Sequence, residues 1–409
     1  METALPDSCD VLVIGGGPAG ACAARAAAEA GADTCLIEED GCVGEPVRCA
    51  EGVSLRAVRA FLGDPAPGVV CTRIRHVRLS GPSGRGVTLT SELEGCILDR
   101  RRFDLSLAER AAGSGAAIFT RTRARGMSRA DQGWAVEAER DARLHTIAAR
   151  IVIGADGVVS RVGRWAGLDT RVKPDQIGSC YQYRLGGLDL DEDTIELAWG
   201  SRIAPGGYGW IFPKGSGDAN VGVGIRRSRA LTGLSAREYL DRWVAERFPR
   251  AVRRDTTGGA VITDPRLTAI SGPGILLVGD AARQLNPLSL AGISSGMRGG
   301  WLAGTIAARA CASGRTGAAP LRQYDRRWRR LLGRLHEDHH RLAEVIHGLP
   351  DSTFEALVSE LQDRDPAQRR IHTAISAAVR RHPLLLLTIV PYFRHWRAGG
   401  NRSGYPEPR

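Results

Sequence analysis

The sequence predicts an α/β fold in which an antiparallel β-sheet is inserted into a mostly parallel, doubly wound one, with a helical C-terminal region. Three observations predict it. Short unbroken apolar runs at Val11–Ile14, Thr34–Ile37, Ile151–Gly154 and Gly274–Val278 read as strands buried on both faces of a parallel sheet. Residues 171–270 instead carry period-2 patterning, the mark of half-buried antiparallel strands. From Pro320 onward Leu321, Tyr324, Trp328, Leu331, Leu332, Leu335, Leu342 and Val345 recur at helical spacing.

The first run opens Asp10–Gly20, DVLVIGGGPAG. The strand breaks into Gly15-Gly16-Gly17-Pro18-Ala19-Gly20, and a helical run, Ala21–Ala30, follows at once. This is G-x-G-x-x-G between a strand and a helix, the context that makes it a Rossmann-like dinucleotide site. Gly15 allows the tight turn, Gly17 lets a pyrophosphate approach the backbone, and Gly20 lets the helix pack on the strand. The helix N-terminus offers its unpaired N–H groups to the phosphates. The second strand ends in Glu38, whose carboxylate suits a ribose 2′-OH and repels a 2′-phosphate, which argues against NADP. The motif alone does not separate FAD from NAD.

Along the chain, residues 1–70 form the first nucleotide-binding part. Cys71–Thr90 alternates and reads as a hairpin around Gly81–Gly86 that joins a different sheet, so 71–98 is assigned to the inserted domain. Asp99 opens a helix through Ala112. Strands follow near Ala116–Thr120, Trp134–Ala138 and Ile151–Gly154, completing a second nucleotide-binding part, 99–170. Ser179–Leu185, Thr194–Trp199, Gly209–Phe212 and Asn220–Ile225 are the strands of the inserted domain, 171–270, interrupted by a helix at Ser235–Arg247. Residues 271–319 return to the first sheet with the strand Gly274–Val278 and a small-residue helix from Gly292 to Ala312. Residues 320–409 form the helical C-terminal region. Its apolar stripe reads as packing on the domains. Because the opposite face is basic, a helix lying on a membrane surface is the alternative. The tail Gly399–Arg409 reads as frayed.

A chain of 409 residues suggests two or three units, and 43% apolar residues suffice for their cores. There are 56 basic and 45 acidic residues, net +11, and lysine occurs only at Lys173 and Lys214. A high-GC genome choosing arginine over lysine accounts for this balance, and attraction to anionic partners, lipid head groups included, is the sharper alternative. No aromatics interleave with basic residues as in a single-strand groove, which argues against nucleic acid. Nine scattered cysteines without C-x-x-C fit a reducing cytosol, with no disulfide framework and no metal site. The N-terminus runs straight into a strand, leaving no room for a signal peptide. No apolar run reaches transmembrane length, the longest candidate being Leu384–Val390 between Pro383 and Pro391. The expectation is a cytoplasmic protein, soluble or peripherally attached to a membrane.

Three further motifs carry chemistry. In Gly274–Pro287, GILLVGDAARQLNP, a buried strand delivers Gly279-Asp280 to a turn. A carboxylate there can cap a helix, and it can also accept from a polyhydroxylated chain. Flavins have such a chain, the ribityl, and NAD has none, so FAD is favoured. Gly292 and Ile293 begin a helix whose N-terminal N–H groups suit the flavin pyrimidine carbonyl and an anionic reduced flavin. Gly154–Arg161, GADGVVSR, places Asp156 in a D-G turn of the kind found beside the nucleotide in flavoproteins of the para-hydroxybenzoate-hydroxylase type. It is equally an ordinary strand-to-helix turn. In Gly44–Ser54, GEPVRCAEGVS, Cys49 sits among polar and glycine neighbours rather than apolar ones, and Arg48 beside it can lower a thiol pKa.

With these pieces the chain resembles the geranylgeranyl reductase family of FAD-dependent oxidoreductases over residues 8–310. Pro46, Arg48, Cys49, Glu51 and Gly52 match the family's P-x-R-C-x-E-G loop. Tyr208-x-Trp210-x-Phe212-Pro213 followed by Gly222-x-Gly224 matches Y-x-W-x-F-P-x(7–8)-G-x-G, and Gly163–Gly167 and Tyr181–Arg184 are also family-like. The resemblance implies noncovalent FAD and reduction of isolated C=C bonds in polyprenyl chains. It implies that Ala19, Glu38, Cys49, Ala50, Gly52, Arg100, Ala124, Asp280, Gly292 and Ile293 line the FAD. Tyr208, Trp210, Phe212 and Pro213 are then on the substrate side. The chain departs from the family at the flavin-facing turn, often D-P-x-x-G-G-G-I, which here reads Asn286-Pro287-Leu288-Ser289-Leu290-Ala291-Gly292-Ile293.

An unactivated alkene needs a proton at one carbon and a hydride from flavin N5 at the other. Cys49 is the candidate proton donor and Tyr208 the reserve. An FAD monooxygenase is the main rival reading, a halogenase a weaker one because Tyr208 replaces the first Trp of W-x-W-x-I-P, and a prenyl-carrying flavoprotein a third. Without a second Rossmann motif, the electron donor is a transiently bound NAD(P)H or a ferredoxin-like carrier.

Overall fold

The computed structural model describes residues 4–226, 233–370, 373–374 and 376–378. The apolar run Leu384–Val390 and the tail Gly399–Arg409 lie outside the described residues. The chain begins with β1 (Ser8–Ile14), α1 (Pro18–Glu29), β2 (Thr34–Ile37), β3 (Gly52–Ser54), α2 (Leu55–Leu62), β4 (Val70–Ser80), β5 (Gly86–Leu98) and α3 (Arg100–Gly113). It continues with β6 (Ala117–Phe119), β7 (Thr122–Ala130), β8 (Gly133–Arg140), β9 (Arg143–Gly154), α4 (Val162–Trp165), β10 (Ile177–Gly186), β11 (Thr194–Ala198), β12 (Tyr208–Gly215) and β13 (Asp218–Arg226). Then come α5 (Ala236–Arg247), β14 (Val252–Ile262), β15 (Ser271–Gly272), β16 (Ile275–Leu277), α6 (Ile293–Ala312), α7 (Ala318–Trp328), α8 (Arg334–Ile346) and α9 (Asp351–Gln362).

Among the described residues the strands make two eight-stranded sheets. The first runs β15-β16-β9-β1-β2-β6, with β7 and β8 added antiparallel beside β9. Its β16, β9, β1, β2 and β6 are parallel neighbours. The chain leaves β1 toward β2 on one side, while β9 sits on the other. The C-terminal ends of β1 and β9 therefore flank a topological switch point, where open α/β sheets bind ligands. Val11, Leu12, Val13, Ile151, Val152 and Ile153 are fully buried, and so are the central residues of α6 that cover them. Helices α1 and α6 approach closely because α6 carries glycine at four-residue intervals. A Cβ at Gly300 would stand 2.0 Å from the Ala19 carbonyl oxygen, and one at Gly304 2.1 Å from that of Ala23.

The second sheet has the order β14-β10-β13-β12-β11-β4-β5-β3 and is antiparallel except for the parallel pair β4/β11. The hairpin β4–β5 belongs to it. Side chains alternate across its faces. Gly209 and Ile211 of β12 face α5, where Trp243 leaves no room for a Cβ at Gly209, while Tyr208, Trp210 and Phe212 point the other way. Ser235 caps α5 with the reciprocal Glu238 contact of a capping box.

Two strands are invisible in the sequence pattern. β7, TRARGMSRA, and β14, VRRDTTGGAVI, are edge strands that each pair with a single neighbour, β8 and β10. Their outer residues are exposed and charged, so no apolar alternation develops, and charge on an edge discourages pairing with another chain.

The C-terminal stripe packs on the protein. Leu321, Tyr324, Trp328 and Leu332 enter the core of the first sheet, and the Tyr324 hydroxyl donates to the Leu277 carbonyl at 2.8 Å. Among the described residues no helix is long and apolar enough to cross a membrane. Helix α8 buries His336 edge-on against Trp328 at 5.8 Å, with His339 stacked beside it at 6.5 Å. Burial lowers His336 to about 3 and His339 to about 4. Both rings are neutral in the fold, whereas the unfolded chain protonates them below about pH 6.5. Between those values the unfolded state binds more protons, so stability is full above about 6.5 and declines as pH falls toward the folded values. His336→Phe should flatten the fall in Tm between pH 7 and pH 5; a slope equal to wild type would show that the buried ring contributes nothing to it.

Candidate active site

At the switch point, Gly15 takes φ +109°, a conformation open to glycine, and a Cβ there would lie 2.4 Å from the Ala155 carbonyl oxygen. A Cβ at Gly20 would stand 1.9 Å from the Gly15 carbonyl oxygen, so only glycine lets α1 begin this close to β1. Gly17 differs: nothing lies within 4 Å of its Cβ position, and its backbone is open to a ligand. Pro18 occupies the first turn of α1, where its missing N–H costs nothing. The Glu38 carboxylate accepts from the Gly16 N–H at 2.6 Å and from the Asp40 N–H at 2.9 Å, bracing the loop, and burial raises its pKa.

From Gly17 and Ala19 a cavity of about 1080 Å³ runs into the space between the two sheets. Near the loop it is lined by Arg48, Cys49, Ala50, Gly52, Arg100, Gly279, Asp280, Gly292 and Ile293. Of the other residues assigned to the cofactor, Ala124 lies on β7, half-buried against the core of the first sheet, beside the Arg123–Glu39 ion pair at 3.1 Å. Asp156 acts chiefly as a cap. One of its oxygens accepts from the N–H groups of Arg161 (2.6 Å) and Val162 (2.9 Å) at the start of α4, and the other is buried without a partner.

Asp280 lines the cavity, and among the described residues none donates a hydrogen bond to its carboxylate. Burial raises its pKa and the nearby Arg100 opposes the shift. Arg100 grips Asp104 with two bonds of 2.7 Å, and its guanidinium reaches the Cys49 thiol. Burial lowers the Arg100 pKa, but Asp104 and Cys49 outweigh it and the net shift is upward. The cation beside Cys49 is thus Arg100, while its sequence neighbour Arg48 lines the cavity from an exposed position.

Tyr208, Trp210 and Phe212 line the cavity on the side of the second sheet. The Tyr208 hydroxyl donates to the Ser289 carbonyl at 2.6 Å, and burial raises its pKa. The Trp210 N–H donates to Gln182 Oε1 at 2.8 Å. Pro213 is buried off the cavity, its carbonyl accepting from the Thr72 hydroxyl at 2.7 Å. Beyond the aromatics the cavity is greasy. Ile74, Val77, Leu79, Ile195 and Leu197 wall one side. Leu342, Ile346, Phe354, Leu357 and Leu361 of α8 and α9 wall the other, with Phe354 stacked on Trp199 at 6.0 Å. The sequence reading misses this second wall. The periodicity of 320–345 signals a buried stripe without saying what it faces.

Residues 176–261 match the Geranylgeranyl reductase catalytic domain family, and residues 10–201 match the FAD dependent oxidoreductase family. A digeranylgeranylglycerophospholipid reductase of Methanothrix thermoacetophila is 38% identical over 92% of this chain and 97% of its own length. The chain belongs to the geranylgeranyl reductase family. A solved geranylgeranyl bacteriochlorophyll reductase-like protein from Thermoplasma acidophilum superposes on this reductase with a TM-score of 0.87, at 31% identity over 94% of this chain and 99% of that one. A flavin-dependent brominase aligns with a TM-score of 0.68 at 16% identity, over 91% of this chain and 93% of its own, and shares the fold alone. This reductase is an FAD-dependent oxidoreductase.

The residues present fit FAD. The Gly17 backbone is open, the Asp280 carboxylate has unused acceptor capacity, and α6 starts at Gly292 with no side chain capping its N–H groups. At the turn where this reductase departs from its family, Leu290 stands at φ +54°, a left-handed conformation that costs a non-glycine residue about 1 kcal/mol. Its side chain reaches toward Gly224, next to Trp210, and narrows the cavity there.

Proposed function

We propose that this reductase saturates isolated C=C bonds of geranylgeranyl-type chains carried on a lipid. The observation that carries this reading is the cavity itself. One end is built for a dinucleotide, and the other is a long, mostly apolar tunnel in which Glu94 and His347 are, among the described residues, the acidic or basic side chains beyond the aromatic pair Tyr208 and Trp210. Bound FAD supplies the hydride; the chain supplies the proton, the orientation and the dry wall. Cys49 is the proton donor on this reading. Tyr208 is the weaker acid, because burial raises its pKa and its proton is committed to Ser289. Trp210 and Phe212 present π-faces that stabilise positive charge on the more substituted alkene carbon. The electron donor on the same reading is NAD(P)H or a ferredoxin-like carrier. The net charge of +11 favours peripheral contact with an anionic membrane from which the lipid is drawn.

Mass spectrometry of prenyl products after incubation with dithionite-reduced enzyme tests the proposal. A gain of two mass units per double bond is expected. Oxygen uptake matching substrate consumption one to one would replace the reductase with a monooxygenase.

Tunnel geometry makes a separate prediction. Ile195 and Leu197 face the cavity from β11, while Glu196 and Ala198 between and beside them are buried on the other face. Leu197→Trp fills the passage between the aromatics and α9. Activity on a twenty-carbon chain should fall at least about tenfold, and activity on a ten-carbon chain should persist. Equal losses on both would place the chain elsewhere.

A further inference from the structure

The loop carrying Cys49 is held by groups that reach it from the second sheet, and these do more than fold it. Glu51 is buried at φ +71°, outside the conformations its side chain prefers. Its carboxylate accepts from Lys214 Nζ at 2.7 Å, Asn220 Nδ2 at 2.6 Å and the Arg100 N–H at 3.0 Å. Its own N–H lies 3.2 Å from the Cys49 sulfur. Lys214 also donates to the Leu98 carbonyl, and the Cys71 thiol reaches the same ammonium. Gln182 uses both ends of its amide, donating to the Cys49 carbonyl at 3.1 Å while accepting from Trp210. The Lys214 and Glu51 side chains are 2% and 8% exposed, so both charges are desolvated.

In sheet order β11, β4 and β5 stand between β12, which carries Lys214, and β3, which follows Glu51. The pair therefore ties the loop entering the edge strand β3 to the central strand β12, across the three strands that separate them in sheet order. A buried ion pair is a poor device for stability, since apolar replacements often serve equally well. It is a good device for geometry, because the partners tolerate one arrangement only. Lysine stands at 214 in a chain whose basic residues are otherwise arginine save Lys173, and its compact ammonium satisfies three acceptors at one point, which a planar guanidinium cannot do.

We propose that Lys214 is a positioning residue that acts through Glu51 to set the Cys49 thiol in the cavity, and that Gln182 couples the thiol's loop to the Trp210 wall against which the prenyl chain packs. The proposal rests on the reading of Cys49 as proton donor. No proton passes through Lys214 in this role.

Lys214→Met, the double variant Glu51→Gln/Lys214→Met, and Gln182→Leu test it on the FAD-loaded enzyme. Each is assayed for alkene saturation, for flavin reduction by dithionite, for thermal stability, and for the pH profile of Cys49 alkylation read by peptide mass spectrometry. Lys214→Met is expected to lower kcat for saturation at least about tenfold, to leave flavin reduction unchanged, and to move the alkylation profile. The double variant should regain stability while its kcat stays at least about tenfold down. Gln182→Leu, which changes no charge, should lower kcat about fivefold and leave flavin reduction unchanged. If kcat recovers with stability in the double variant, or Gln182→Leu saturates alkene at the wild-type rate, the pair is structural and the proposal fails. A wild-type rate in Cys49→Ala would instead remove the reading beneath it, so the two failures are told apart.

Discussion

Cys49→Ala is expected to lose alkene saturation by at least about 100-fold, the lower range for removing a general acid. Its flavin should be reduced by dithionite at the wild-type rate. The two readouts separate because the sulfur lies at the boundary of two groups of residues. On one side are those assigned to the cofactor, Arg100, Asp280, Gly292 and Ile293; on the other are the aromatics of β12. The Glu51 N–H at 3.2 Å and the Arg100 guanidinium hold the sulfur. Both are donors, so they stabilise the thiolate left after a proton is given up. Cys49→Ser retains size and a proton but is a much weaker acid, and its rate should fall close to that of the alanine variant. Single-turnover rates near wild type in both variants would take Cys49 out of the chemistry. Tyr208→Phe, by contrast, should lose less than about tenfold, its loss being that of the anchor to Ser289 rather than of a proton.

Gly20→Val is expected to abolish FAD retention and to lower the yield of folded protein. The first carbon of the new side chain would stand 1.9 Å from the Gly15 carbonyl oxygen and 3.0 Å from the Ala155 Cβ. Neither is a flexible side-chain end that can step aside. Overpacking a close contact commonly costs about 1–3 kcal/mol, and backbone clashes sit at or above the top of that range. Relief requires α1 to move away from β1, which spreads the loop that Glu38 braces through Gly16. Gly17→Ala is the control. It meets nothing within 4 Å, so the fold should persist and only the affinity for FAD should fall. Flavin absorbance after gel filtration, together with the thermal transition, reads both. A folded, flavin-loaded Gly20→Val would mean that the close approach of α1 to β1 is not required.

The lysine at 214 shows where a readable signal was left unused. Only two lysines stand in the sequence, and one directly follows the Phe212-Pro213 of the signature. Its partner Glu51 is part of the cysteine loop, yet no local pattern joins two residues 163 positions apart. The same holds for Gln182, which stands in the family-like segment Tyr181–Arg184 and whose amide makes the link to Cys49. Asp156 shows the converse. Its D-G turn has the form of a nucleotide-site residue, and one carboxylate oxygen caps the start of α4 while the other, among the described residues, is buried without a partner. Pro213 stands inside the substrate-side motif and is nevertheless buried off the cavity, because alternation along β12 sends it away from Phe212.

By itself the sequence determined the dinucleotide turn, the buried strands on either side of it, the inserted antiparallel sheet and the glycine-flanked cysteine loop. Each of these is encoded within a few consecutive residues: glycine where a Cβ would collide, unbroken apolar runs where both faces are covered, alternation where one is. Only the tertiary structure decided that Arg100 rather than Arg48 stands by the thiol. It alone brought Lys214, Asn220 and Gln182 together under the Cys49 loop, and it alone made α8 and α9 a wall of the tunnel as well as packing. Those decisions depend on how a sheet curls and which helix face a cavity meets. Such contacts join residues far apart in the chain, and hydrophobic periodicity reports that a face is buried without reporting what lies against it.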